Sequence, residues 1–279
     1  MPTRTARRLS GVLAAPALGL ALVACGIEDQ AASQTSAHEV VLASVEGLDD
    51  TSYKIESTMT LNGLDYITSA GTFDGENAQV TYDLDSVALA AAEDLTPEEI
   101  EMANAMFEDI HTETIVVDKV VYMQMSGDIF DAMAEEFGED AWFAKDLTEE
   151  ETLSDVASEY GGMALTEQTD LILADLVNVQ ETGDGAYTGL LTAQSEAMST
   201  LSGYFGDDIS ARADGTQVAM TLDDDGLLKT MAVTLPEFEG LTMAITSEIV
   251  EVGGDYVIEA PATDNLHDFE EFSTGAGDS

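Results

Sequence analysis

Three histidines, His38, His111 and His267, stand far apart in the chain. None has a second His or a Cys at the spacing a zinc site needs. The run Asp223-Asp224-Asp225-Gly226 has the composition of a calcium loop, but no Glu stands twelve positions from a workable start, so it reads as a hairpin turn. Gly183-Asp184-Gly185 reads the same way. The sequence contains no H-E-x-x-H, no G-x-S-x-G, no phosphate-binding loop and no dinucleotide fingerprint. With 56 acidic residues, pairing any two carboxylates as acid and base is arbitrary. These observations point away from an enzyme, a metal site and a cofactor.

The remaining reactive group is Cys25, the one cysteine of 279 residues. A basic segment (Arg4, Arg7, Arg8) and an apolar run of about 16 residues precede it, the layout of a secretory signal. A spanning helix needs roughly 20 apolar residues, so the run is too short to be an anchor by itself. Its end, Leu22-Val23-Ala24-Cys25, resembles the lipobox of bacterial lipoproteins, in which the Cys becomes the lipid-modified first residue. A diacylglyceryl group there would hold the protein on the membrane at its extracytoplasmic face, each buried methylene contributing about 0.8 kcal/mol. A lone cysteine also excludes a disulfide framework. The expected organisation is a signal peptide over 1–24, a lipidated N-terminus and flexible tether over 25–38, one domain over 39–270 and a frayed tail over 271–279.

Removing the signal leaves five of the eight basic residues against all 56 acidic ones, a formal charge of −51. A phosphate backbone would be repelled by such a surface, so nucleic acid is excluded as a partner. The 45% hydrophobic content and the long alternating runs exclude general disorder.

Alternation over 52–61 predicts a strand with Tyr53, Ile55, Met59 and Leu61 on one face and Lys54, Glu56, Thr58 and Thr60 on the other. Asn62-Gly63 predicts a two-residue hairpin into a second strand over 64–73. Further strands are expected over 78–84, 114–117, 120–125, around 142–143, and over 177–182, 187–192, 217–222, 227–235, 241–250 and 256–260. Helices are expected over 40–48, 96–110, 128–137, 148–160 and 166–176, the second and fourth opening on capping boxes at Thr96/Glu99 and Thr148/Glu151. The segment 194–212 fits neither period. Strands in runs and helices in runs imply an α+β fold of about nine to eleven strands, antiparallel where tight turns join them.

Several of these pieces come in an order that resembles the actinobacterial lipoproteins of the LppX/LprG type, distant relatives of LolA-like carriers. They are the Ser52-Tyr53 strand opening, Val121-Tyr122-Met123 before a helix and Trp142, and Leu171-Ile172-Leu173 leading to Gly183 through Gly189. Leu222 through Leu227 and the closing Tyr256-Val257-Ile258-Glu259-Ala260-Pro261 complete the set. The resemblance spans about residues 52–269. It implies a strongly bent antiparallel sheet, a half-barrel, with helices packed on its concave face and an apolar cavity between them for the acyl chains of a lipid or glycolipid. Tyr53, Ile55, Met59, Leu61, Met106, Phe107, Met123, Phe130, Met133 and Trp142 are then the expected cavity lining. A membrane transporter or another envelope protein is the expected partner. The alternative is an envelope lipoprotein with a filled core that recognises a protein or senses envelope state without a lipid.

Overall fold

Asn62 and Gly63 both take positive φ, 50° and 78°, the backbone a two-residue turn needs to match the twist of its strands. Asp118 and Lys119 do the same at 53° and 64° without a glycine. These turns belong to a computed structural model that describes residues 27–48, 51–75, 77–85, 110–148, 165–195, 197–198, 214–237 and 240–269.

Twelve strands among the described residues form one sheet. The first meander is β1 (Tyr53–Leu61), β2 (Leu64–Asp74), β3 (Asn77–Leu84), β4 (Ile110–Val117), β5 (Val120–Ser126) and β6 (Trp142–Asp146). The second is β7 (Val177–Gly183), β8 (Ala186–Leu191), β9 (Thr216–Leu222), β10 (Leu228–Thr234) and β11 (Met243–Val252), and β12 (Leu266–Asp268) comes last. The spatial order is β12-β6-β5-β4-β3-β2-β1-β11-β10-β9-β8-β7. The chain therefore starts in the middle, walks out to one side, reappears at the opposite edge and returns until β11 pairs with β1. It then crosses the first meander to lay β12 parallel on β6.

Among the described residues three helices accompany the sheet: α1 (Ile27–Glu46), α2 (Asp131–Phe137), entered through a 3-10 turn at Asp128–Phe130, and α3 (Leu165–Ala174). The main core joins Ala37, Val41 and Leu48 to Ile172, Leu173 and Leu176 and to the apolar face of β1 and β7 to β11. On β1, Tyr53, Ile55, Ser57, Met59 and Leu61 are buried, and the residues between them are not. Register carries that face across the sheet: Ile249, Ile55, Gly71, Val80, Thr114, Met123 and Phe143 form one continuous row. Each large apolar side chain buried there contributes about 1.5–3 kcal/mol.

The expected half-barrel with helices on its concave face is corrected by this arrangement. The sheet is mixed, because β12 runs parallel to β6, and it has twelve strands, not nine to eleven. It is not closed, since β7 and β12 are its two edges. The edges explain the opening: β12 has three residues, and β7 is broken by two register shifts and by Asn178 at φ 56°, so neither offers a regular ladder. Helices are few among the described residues, and α1 lies against β7, β10 and α3. Ile110, expected to end a helix, instead begins β4. The rest of 96–110, nearly all of 148–160 and most of 194–212 lie outside the described residues. The segment 256–260 makes no ladder; it is part of an extended crossing from β11 to β12.

Candidate functional site

A cleft opens between α1, α3 and three adjacent strands. Its walls are Val45 and Leu48 from the end of α1, Thr169 from α3, Tyr53 and Ile55 from β1, Ser247 and Ile249 from β11, and Leu228, Lys229 and Met231 from β10. The sequence folds this way locally because α1 stops at Gly47, packed close to Leu227 in the turn before β10. The helix end is thereby set over the beginning of β10.

Two irregularities shape the floor. The β1–β11 register slips between Lys54 and Ile55, leaving Val250 as the extra residue, and the β10–β9 register slips between Leu228 and Thr230, leaving Lys229 as the extra one. Bulges re-aim the side chains they carry. In this case two fall at the same end of neighbouring strands. Lys229 is exposed at the lip and forms no ion pair among the described residues, whereas Lys54 on β1 meets Glu251 at 3.2 Å and lies 4.6 Å from the Tyr256 ring centre. On the floor, buried Ser57 donates a hydrogen bond to Ser247 across 2.9 Å.

The cleft encloses about 40 Å³. A water needs about 10–15 Å³ of such space and a ligand pocket spans about 300–1,000 Å³, so in this conformation it holds a few waters and no acyl chain.

Of the expected lining, Tyr53 and Ile55 border the cleft. Met59 and Leu61 share their face and are buried in the main core. Met123 lies on the same face in a separate cluster with Ala141, Phe143 and Phe269. Trp142 occupies the opposite face, since its neighbour Phe143 pairs with Met123, and it is buried there, its backbone N–H donating to the Asn265 carbonyl at 3.0 Å. Phe130 ends the 3-10 turn and is half-buried away from the cleft. Met106, Phe107 and the Met133 side chain lie outside the described residues, as does Cys25. Sequence reasoning missed the other eight, Val45, Leu48, Thr169, Leu228, Lys229, Met231, Ser247 and Ile249, and no signal marked the bulge at Lys229.

The histidines are occupied locally. His38 Nε2 donates to the Leu173 carbonyl at 2.8 Å and ties α1 to α3, and His111 pairs with Asp83 at 2.7 Å on the wet face. His267 donates to Asn265 Oδ1 at 2.8 Å against the rings of Phe137 and Phe143. Asp223 Oδ1 accepts from the backbone N–H groups of Asp225 and Leu227, at 3.0 and 2.9 Å, as a hairpin turn requires. No metal-holding group of three His, Cys, Asp or Glu side chains occurs among the described residues. No described helix is long and apolar enough to cross a membrane.

No known family model and no curated protein matches the chain. Among solved structures, it is similar to a LolA superfamily protein from Nitrosomonas europaea at 7% identity and a TM-score of 0.26, over 82% of this chain and 95% of the other. A DNA polymerase sliding clamp from Pseudomonas aeruginosa aligns at 11% identity and a TM-score of 0.14, over 84% of this chain and 67% of the other. The DNA polymerase III beta subunit of that organism aligns at 12% and 0.14, over 81% and 64%. Alignments at these scores place the chain in no family.

Proposed function

We propose that the chain is an extracytoplasmic lipoprotein, anchored to the membrane through Cys25, that binds or transports a lipid or acylated glycolipid between its helices and its sheet. The observation that carries this reading is the cleft. Apolar side chains from both layers wall it, Thr169 and Ser247 add aliphatic hydroxyls, and its exposed residue is Lys229. An acyl chain enters only when α1 or α3 moves off the sheet. Such a local opening costs less than global unfolding.

The small volume favours one other reading, a filled-core envelope lipoprotein that recognises a protein without a lipid. Two measurements separate the readings. Native mass spectrometry of the full-length protein, extracted from membranes, is expected to show a co-purifying acyl lipid. In the Ile55→Trp variant the indole ring should take the chain's place, lowering lipid loading while the fold persists. An unloaded parent together with a strongly destabilised Ile55→Trp variant would establish the filled core. Anchoring is checked separately: Cys25→Ser should release the protein from membranes or block processing, and unchanged retention and mass would refute the anchor.

A further inference from the structure

We infer that the cleft selects a single-chain amphiphile with a carboxylate headgroup, and that Lys229 is the residue that pairs with it. The inference rests on the lipid-binding reading above and names the class of ligand.

Three observations support it. First, the cleft is amphipathic in one direction: Leu48, Ile55, Ile249 and Met231 make its walls, and a lysine stands at its lip. Second, Lys229 stands there because it is the extra residue of a bulge; in a regular strand its neighbour Leu228 would be followed by an outward-facing position. Third, among the described residues Lys229 has no carboxylate partner, although the acidic turn at Asp223 to Asp225 lies directly before its strand. An ammonium is a compact point charge, which a single, singly charged carboxylate neutralises. At about 40 Å³ the cleft has to widen even for one chain, which favours one chain over the several chains of a complex glycolipid.

The surrounding negative charge works against any anionic ligand at long range. Selectivity must therefore come from contact at the lip. The size expected is that of a solvent-exposed ion pair, about fivefold in affinity.

The test compares laurate with dodecanol, which share twelve carbons and differ in headgroup charge. Binding to the full-length protein is measured by equilibrium dialysis at pH 8, below the solubility limit of each probe. The parent should prefer laurate about fivefold. Lys229→Gln should bind both equally, with dodecanol affinity unchanged. Lys119→Gln, which removes another lysine with no ion pair among the described residues, in the distant β4–β5 turn, should keep the preference. Equal binding of both probes by the parent overturns the inference and leaves the lipid reading standing. The inference also falls if Lys229→Gln keeps the preference or if Lys119→Gln loses it. Failure of the parent to bind either probe overturns the lipid reading and the inference with it.

Discussion

Ser57 donates its hydroxyl to Ser247 across β1 and β11, 2.9 Å apart and 190 residues apart in sequence, and both are buried on the apolar face of the sheet. Removing one partner of a buried pair costs more than removing both, because a stranded hydroxyl keeps its desolvation penalty. Ser247→Ala, which strands the Ser57 donor, should cost about 1–3 kcal/mol. The double variant Ser57→Ala/Ser247→Ala should recover most of that loss. Urea unfolding in a double-mutant cycle measures it, and strictly additive losses would show that the pair is not coupled.

Gly71 tests how tightly the floor beside the cleft is packed. Its φ is ordinary, so only sterics oppose a side chain: an added Cβ would lie 2.7 Å from Phe73 Cε2 and 3.1 Å from Ile55 Cγ2. Phe73 is stacked on Tyr53 with ring centres 5.0 Å apart and has no easy way to yield. Gly71→Ala should therefore destabilise by about 1–3 kcal/mol through overpacking. Adding Phe73→Leu should relieve part of it, and equal losses with and without that change would place the strain elsewhere.

Two phenols link stability to high pH. Burial first, then Glu181 and Asp184, pushes Tyr187 above its usual value; burial first, then Glu251, does the same for Tyr256, with Lys54 opposing. A phenol that holds its proton longer in the folded state favours folding below the unfolded-state value of 10.0. That contribution is lost as pH rises from there through the folded-state value. Absorbance titration near the phenolate band should show part of the folded protein's tyrosine signal appearing at higher pH than in urea, and the melting temperature should fall above about pH 10. Superimposable folded and unfolded titrations would contradict both shifts.

Net charge makes a prediction for the whole domain. The excess of acidic over basic residues sets up self-repulsion that salt screens over about 10 Å at 0.1 M. Between 50 mM and 1 M sodium chloride the melting temperature should rise by about 3 °C or more. A flat or falling curve in differential scanning calorimetry would mean that the charges are too dispersed to interact.

Much of the first meander was legible because its determinants are local. Period-2 alternation marked the buried face of β1, and Asn62-Gly63 marked the turn that sets its pairing with β2. The partner on the other side of β1 is β11, and nothing near Tyr53 in sequence encodes a neighbour from the far end of the chain. The parallel strand β12 was illegible for the same reason: turn chemistry speaks to hairpins, and β12 is reached by an extended crossing with no turn of its own. At the site, Tyr53 and Ile55 followed from alternation. Lys229 did not, because a bulge is an exception to alternation and becomes visible only when two strands are laid side by side.

The long first helix also has a mechanical consequence. It begins two residues after Cys25 and runs unbroken to Glu46, and Val45 and Leu48 at its far end border the cleft. Twenty residues at 1.5 Å each span about 30 Å, close to the thickness of a bilayer's hydrocarbon core. With a lipid on Cys25, this helix would act as a boom hinged at the membrane surface. Upright, it would hold the cleft mouth about 30 Å out, beyond reach of the leaflet that anchors it. Lying flat, it would bring the mouth down to the headgroups. Loading from the home membrane and delivery away from it would then be two positions of one boom, and a flexible insertion directly after Cys25 would abolish the difference between them.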